Sequence, residues 1–227
     1  MARLQWDKIG ERLYEAGVEK GVLYVQNING TYNKGVAWNG LIGVNVSPSG
    51  AEPTKLWANN TQYGTVLSQE ELGATIEAYT YPDEFAVCDG SAELATGVHI
   101  GQQTRMPFAL SYVTKIGNDV QSLDHGYKIH IIYGALAAPS EKNYQTINES
   151  TEAITFSWEV TTTPVDVPGF KPTAYVTIDS TAVDTVTLKQ IEDTLYGTDS
   201  DDPELLMPAD ILAIINDDDD GSSNPPD

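Results

Sequence analysis

Side chains that could act as nucleophiles, general bases or transition-metal ligands are scarce in this chain of 227 residues, which has one cysteine and three histidines against 33 acidic residues. Cys88 follows Val87 in a short apolar segment, which favours a buried structural thiol over a reactive one. His99, His125 and His130 are far apart, and the alternation around His130 predicts a side chain on the outward face of a strand. We therefore expect no catalytic residue, no cofactor and no metal ligand, and none of the common nucleotide, zinc-protease or hydrolase motifs occurs.

One acidic stretch has the spacing of calcium ligands. Residues 216–221 read Asn-Asp-Asp-Asp-Asp-Gly, and Asp227 stands where the last ligand of an EF-hand loop would lie. The eighth position of that loop is serine instead of an apolar residue, and two prolines precede Asp227. Four consecutive aspartates produce such matches by chance, so we favour a solvated, disordered acidic tail over residues 216–227, with calcium binding as the alternative.

The net charge of −21 is unevenly distributed. Twelve acidic residues and no basic ones follow Lys189, whereas residues 1–189 have 21 acidic and 12 basic residues and a net charge of −9. Such a surface repels phosphate, which argues against ordinary nucleic-acid binding and against anionic membranes as partners. Solubility through charge is the simplest interpretation. No apolar run spans a bilayer and the N-terminus lacks the core of a secretion signal, so we expect synthesis in the cytoplasm.

Short β-type segments separated by glycine, proline and asparagine turns occupy most of the chain. The segments predicted as strands are residues 21–26, 36–46, 55–58, 63–67, 72–79, 106–114, 127–136, 153–162 and 173–178. One short α-helix is predicted over residues 82–88, and residues 7–17 have a weak helical spacing. The sequence predicts a mainly β domain over residues 1–186, a sandwich or barrel with an N-terminal arm at residues 1–18.

The last part of the chain changes character. Residues 187–196 and 204–215 have helical apolar spacing, with an acidic break between them. We expect a helical extension over residues 187–215 whose apolar side chains are buried against another surface.

Four stretches, taken together and in order, resemble the major tail proteins that build the tail tube of long non-contractile-tailed bacteriophages. The likeness covers residues 5–180. The first stretch is Tyr-Pro-Asp-Glu-Phe-Ala-Val-Cys-Asp-Gly at 81–90, and the second is Gln-Thr-Arg-Met-Pro-Phe-Ala-Leu-Ser-Tyr at 103–112 with Ile-Gly-Asn-Asp at 116–119. The third is Lys-Ile-His-Ile-Ile-Tyr at 128–133 with Ala-Pro-Ser-Glu at 138–141. The fourth is Phe-Ser-Trp-Glu at 156–159 with Thr-Thr-Thr-Pro-Val at 161–165 and Lys-Pro-Thr at 171–173.

The resemblance implies a structural subunit, not an enzyme. Six copies would form a ring, and stacked rings would form a tube in the virion tail, with tail-terminator and distal tail proteins at its ends. Tape-measure protein and then genomic DNA would occupy the lumen without specific binding. If each copy supplies about four strands, a wall of about 24 strands has a backbone diameter of about 48 Å, which leaves room for a duplex. A negative wall would let DNA slide.

The resemblance implies a long hairpin arm that reaches the neighbouring ring, and residues 47–64 are the candidate for this inter-ring loop. They are rich in turn residues, yet Leu56, Trp57 and Tyr63 are large and apolar or aromatic. An exposed tryptophan in a loop indicates a partner surface, so we predict these three residues to be interface residues. The alternative is a loop that folds back on its own domain.

A second function from a different class stays open on the residues alone. A monomeric β-sandwich could bind carbohydrate or another surface ligand through exposed aromatic rings. Trp38, Trp57 and Trp158 are the candidates for stacking on sugars. Ring or filament formation would distinguish the tube subunit from such a binding module.

Overall fold

The computed structural model describes residues 3–147 and 153–221. This part of the chain contains twelve strands, one 3-10 helix and two α-helices, which confirms the mainly β class. The strands are β1 (Tyr14–Val25), β2 (Val36–Trp38), β3 (Leu41–Gly50), β4 (Pro53–Ala58), β5 (Thr61–Leu67), β6 (Glu70–Ala78), β7 (Ala92–Ala95), β8 (Val98–Ile100), β9 (Phe108–Asn118), β10 (Ser122–Ala137), β11 (Phe156–Thr162) and β12 (Tyr175–Asp179). The 3-10 helix is Asp83–Val87, and the α-helices are α1 (Thr185–Tyr196) and α2 (Pro208–Gly221).

Eight of the described strands form one antiparallel sheet in the order β2-β1-β9-β10-β11-β6-β3, with β12 also paired to β10. The sheet curls back on itself. This curl is evident from the rings of Trp38 on β2 and Trp158 on β11, which lie only 5.8 Å apart although three strands separate β2 from β11 in the sheet. Both rings also contact Phe85 of the 3-10 helix. The first core cluster lies inside this curl, where alternate residues of β1, β6, β9 and β11 meet.

A second core cluster lies on the opposite face of β1, β9 and β10, under the two α-helices. Ile129 and Ile131 of β10 and Ile191 and Leu195 of α1 are fully buried there. Two tyrosine hydroxyls fasten the helical layer to the sheet: Tyr24 donates to the carbonyl of Leu195, and Tyr133 donates to the carbonyl of Leu206, at 2.6 and 2.8 Å. The apolar face predicted for the C-terminal helices is therefore buried against the sheet.

The long strand β10 changes partner halfway along its edge. Residues 128–132 pair with β12, whereas residues 135–137 pair with β11. Gly134 lies at this fork with φ +56°, and a Cβ atom on it would clash with the carbonyl oxygen of Thr163. Only glycine fits the left-handed backbone and the close approach at this position.

Several predicted elements differ in the structure. Residues 82–88 form a short 3-10 helix instead of an α-helix, since a five-residue turn between Pro82 and the left-handed Gly90 is too short to propagate α-helical hydrogen bonds. Residues 7–13 are not helical, and Asp7 and Gly10 have positive φ angles that interrupt a helix. The hairpin of β7 and β8 was missed because its strands have only four and three residues.

The chain ends also correct the predicted boundaries. The N-terminal arm predicted for residues 1–18 is shorter, because Tyr14 and the residues after it pair with β9. Residues 216–221, predicted as disordered, continue α2 to Gly221, so they do not form the loop that an EF-hand requires. Residues 222–227, the rest of the predicted tail, lie outside the described residues.

Candidate assembly surfaces

The candidate inter-ring arm at residues 47–64 is part of a long two-stranded ribbon that extends further along the chain. The ladder between β3 and β6 continues to Gly50 and Glu70, and the ladder between β4 and β5 begins at Pro53 and Leu67. Because β6 pairs with β11 only from Gly73 onward, residues 48–72 project beyond the main sheet. At about 3.3 Å per residue, this ribbon is about 35 Å long.

Local sequence explains why the ribbon forms. Asn59 and Asn60 connect β4 to β5 with φ angles of 51° and 62°, which is the two-residue turn that asparagine favours. Pro48, expected to stop the strand, is tolerated in β3 because this strand lies at an edge of the sheet and has no partner for a second amide ladder among the described strands.

The three predicted interface residues lie together near the tip of the ribbon. Leu56 lies opposite Gly64 and Trp57 opposite Gln62, and the β-bulge between these two pairs contains Tyr63. Their side chains are 43%, 66% and 80% exposed for Leu56, Trp57 and Tyr63. The three residues are thus exposed near the tip of the ribbon, but Leu56 and Trp57, as neighbours in one strand, point to opposite faces of it.

Apolar side chains occur on both faces of the ribbon. Leu56 pairs with Gly64 and Val66 pairs with Thr54, and because these pairs are two residues apart, Leu56 and Val66 lie on the same face. Trp57 and Leu67 lie on the other face. Val66 and Leu67 are also exposed, and no pattern in the sequence singles them out. A ribbon with two exposed apolar faces is not packed against its own domain.

The N-terminal segment is a second exposed apolar region. Leu4, Trp6 and Ile9 are all more than 70% exposed. The segment is held to the domain near the β9–β10 turn, where the amide of Gly10 donates to Asp119 and Arg12 forms an ion pair with the same carboxylate.

Several strand edges have no strand paired to them in residues 3–147 and 153–221, and β2 itself ends the sheet. The first half of β1 pairs only with β9, because β2 covers only Gly21 to Leu23. β3 ends the sheet on the other side, and β12 pairs only with β10. Unpaired edges of this kind are templates for pairing with another chain.

One face of the sheet is bare. On β3, β6 and β11 the residues that point away from the core are polar or small apart from Ile42, and they include Asn45, Thr75, Glu77 and Glu159. The three strands contain no lysine or arginine. This face therefore has a negative, polar surface with no counter-charge of its own.

The buried carboxylate of Asp89, in the first of the stretches that carry the resemblance, contacts residues in or next to the other three. Trp158 Nε1 donates to it at 3.0 Å, Lys142 Nζ donates at 2.5 Å, and a guanidinium nitrogen of Arg105 lies 3.7 Å away. Asp89 belongs to the first stretch, Arg105 to the second and Trp158 to the fourth, while Lys142 directly follows the third. These separate segments of sequence thus meet at one structural ion-pair network.

His130 does not face outward as predicted, and its side chain is buried. Its ring stacks on Tyr112, with the ring centroids 4.8 Å apart, and forms hydrogen bonds with Thr114 Oγ1 at 2.7 Å and Tyr175 Oη at 2.5 Å. Burial lowers the pKa of His130. The alternation around His130 predicts an outward side chain only if one face of the strand is in solvent. Both faces of β10 are covered, one by the curled sheet and one by the helices, so this prediction is wrong.

The other chemistry-bearing residues are placed as follows. Cys88 is fully buried in the first core cluster, as predicted, and burial raises its thiol pKa to about 12. Trp38 and Trp158 are buried and have no ring face for a sugar, which removes two of the three aromatic residues proposed for carbohydrate binding. Among the described residues, no group of three His, Cys, Asp or Glu side chains could hold a metal ion.

Neither helix in the described ranges is long and apolar enough to cross a membrane. In the comparisons with known proteins, no family model and no curated protein matches this sequence.

Proposed function

We propose that this chain is the repeating subunit of a bacteriophage tail tube, a structural protein and not an enzyme, which polymerises as stacked hexameric rings. The observation that carries the proposal is the ribbon at residues 48–72. It extends about 35 Å from the sheet with exposed apolar side chains on both faces, so a second copy is the natural surface to bury them. The resemblance of residues 5–180 to major tail proteins supports the same role.

Ring closure is the simplest use of the open strand edges. Four strands, in the order β10-β11-β6-β3, form the part of the sheet from which the ribbon extends. Six copies joined through such units give the wall of about 24 strands that a tube wide enough for a duplex requires. Closing the ring would also remove the exposed edges that invite uncontrolled aggregation.

The bare face of β3, β6 and β11 is the candidate lumen wall. Glu77 and Glu159 give it negative charge, and these strands have no basic residue to bind a phosphate. Electrostatic repulsion keeps DNA and tape-measure protein from adhering while they pass. In this arrangement the helical layer of α1 and α2 lies on the other side of the subunit, away from the lumen.

The partners and location follow from the same proposal. The tube would lie in the virion tail and end at a tail terminator and a distal tail protein, after synthesis of the subunit in the host cytoplasm. The carbohydrate-binding alternative now depends mainly on Trp57, because the other two tryptophans proposed for it are buried.

The test is assembly of the purified protein, followed by negative-stain microscopy and size-exclusion chromatography. We expect rings or filaments of the wild type. Trp57→Ala should leave the free energy of unfolding within about 0.5 kcal/mol of the wild type, because the side chain is 66% exposed, yet shorten or abolish the tubes. Leu94→Ala, which changes an equally exposed residue of the β7–β8 hairpin, is the matched control.

If the Trp57→Ala variant forms tubes of normal length and number, the ribbon does not form an assembly contact through Trp57. A wild-type protein that stays monomeric at high concentration and binds glycans would contradict the proposed function itself.

A further inference from the structure

We propose that Trp57 of one copy inserts into a cavity on the next copy, lined by Lys20, Val22, Ala37, Tyr196 and Pro203. The inference rests on the proposed function, and it names the surface that receives the ribbon. The cavity has a volume of about 440 Å³ and lies beside the edge strand β2, between β1 and the segment after α1. This space is large enough for an indole ring.

The walls of the cavity match the chemistry of an indole. Val22, Ala37 and Pro203 supply apolar surface. Lys20 Nζ lies 5.7 and 5.5 Å from the ring centroids of Tyr127 and Tyr196, so an inserted indole would add another aromatic ring near this cation.

Charge complementarity favours the ribbon as the occupant. Lys55 lies on the same ribbon face as Trp57, two residues away, and its ammonium forms no ion pair with the described residues. Acidic side chains lie beside the cavity: Asp201 and Asp202 immediately precede Pro203 of its wall and Glu204 follows it, while the cation of the wall, Lys20, is 3.9 Å from Glu192. An inserted Trp57 would therefore bring the unpaired cation of the ribbon near the acidic segment at residues 201–204.

The occupant comes from a second copy. In its own chain Trp57 is 66% exposed and contacts no aromatic ring or cation of the described residues, so it does not fill the cavity of the molecule that carries it. The larger cleft of about 750 Å³ at the base of the ribbon is a poorer receptor, because the ribbon's own residues, Leu67 to Glu70 among them, form one of its walls.

The experiment is a mixed disulfide cross-link. Trp57→Cys and Ala37→Cys are made in separate chains, mixed under assembly conditions and oxidised. The native Cys88 is fully buried and stays unreactive. We expect a cross-linked dimer on a non-reducing gel from this pair, and at least tenfold less from the control pair Trp57→Cys with Leu94→Cys, in which the second cysteine is equally exposed but away from the cavity.

Filling the cavity gives a second readout that leaves Trp57 intact. Ala37→Phe should raise the critical concentration for assembly by about tenfold or more, the effect expected for a central interface residue, whereas Ala37→Ser should leave it unchanged. Rings or filaments that form without the cross-link between the Trp57→Cys and Ala37→Cys chains, and that tolerate Ala37→Phe, would overturn the inference and leave the proposed function standing. A protein that never assembles would overturn both.

Discussion

Gly134 shows how one residue sets the arrangement of the whole sheet. The long strand β10 can pair with β12 and then with β11 only if its backbone bends sharply at the fork, and the bend uses φ +56°. The adjacent Thr163 donates its amide to the carbonyl of Gly134 at 3.0 Å, which fixes the chain that leaves β11.

Gly134→Ala should therefore lower the free energy of unfolding by about 2–4 kcal/mol, because the new methyl group meets the carbonyl of Thr163 in a backbone conformation that alanine disfavours. Gly97→Ala is the matched control: its φ is +77° but a Cβ atom there meets nothing within 4 Å, so the loss should be only about 1 kcal/mol. Urea unfolding followed by tryptophan fluorescence measures both. Equal losses would show that the close contact does not matter.

His130 gives the protein a dependence on pH. Burial lowers its pKa in the folded state, and the charged groups near its ring, Glu15 and Lys128, act in opposite directions. As the pH falls below about 6.5, the unfolded chain binds a proton at this imidazole before the folded protein does. The contribution of His130 is therefore absent at neutral pH and becomes destabilising in acid, by at most about 1.4 kcal/mol per pH unit.

The measurement is the free energy of unfolding at pH 7.5, 6.5 and 5.5. We expect the wild type to lose about 1 kcal/mol more than His130→Gln between the first and last pH values. His99→Gln, at an exposed histidine, should keep the wild-type slope. Parallel slopes for the wild type and His130→Gln would refute this role of burial.

Some elements of the structure pack against the sheet and complete the core of the domain, whereas others project away from the domain. The helices α1 and α2 belong to the first group, because Ile191 and Leu195 of α1 and Ile211 of α2 cover the outer face of the sheet. The side chain of Asp184 caps α1 by accepting from the amides of Val186 and Thr187. The ribbon at residues 48–72 belongs to the second group, since its apolar side chains stay exposed.

Truncation after Asp184 should abolish cooperative unfolding, because it exposes the second core cluster, including Ile129, Ile131 and Tyr133. Dye binding to exposed apolar surface and near-ultraviolet circular dichroism measure the effect. Truncation after Asp217 keeps Ile211 and the rest of the buried helical face, and should leave folding unchanged. A stable, native-like product from the first truncation would mean that the helices are dispensable.

At the scale of the whole molecule, the distribution of charge is more informative than its sum. Nine of the twelve basic side chains form ion pairs within the described residues, among them Lys115 with Glu19 and Lys128 with Glu15 on β1, β9 and β10. The bare face of β3, β6 and β11 has acidic residues and no basic ones. Uncompensated negative charge therefore lies on many parts of the surface; it includes Glu77 and Glu159 on the proposed lumen wall, and the C-terminal part of the chain, which has no basic residue after Lys189.

A double variant, Glu77→Lys with Glu159→Lys, should make assembled tubes retain DNA, because it turns the wall into a phosphate-binding surface. Asp202→Lys with Glu204→Lys changes the net charge equally on exposed residues near the helical layer. Nuclease protection of a short duplex distinguishes the two variants, and we expect protection only with the first. Protection with the second, or with neither, would contradict the assignment of the lumen face.

The sequence by itself determined the class of this fold and most of its strands, because alternation and turn residues act over a few neighbouring positions. It also singled out Leu56, Trp57 and Tyr63, since large apolar side chains among turn residues are unusual. Only the tertiary structure decided that His130 is buried, that the ribbon extends over residues 48–72 and projects beyond the main sheet, and that Asp89 contacts segments distant in the chain. These properties depend on which faces are covered by elements far away in the chain, and no local pattern contains that information.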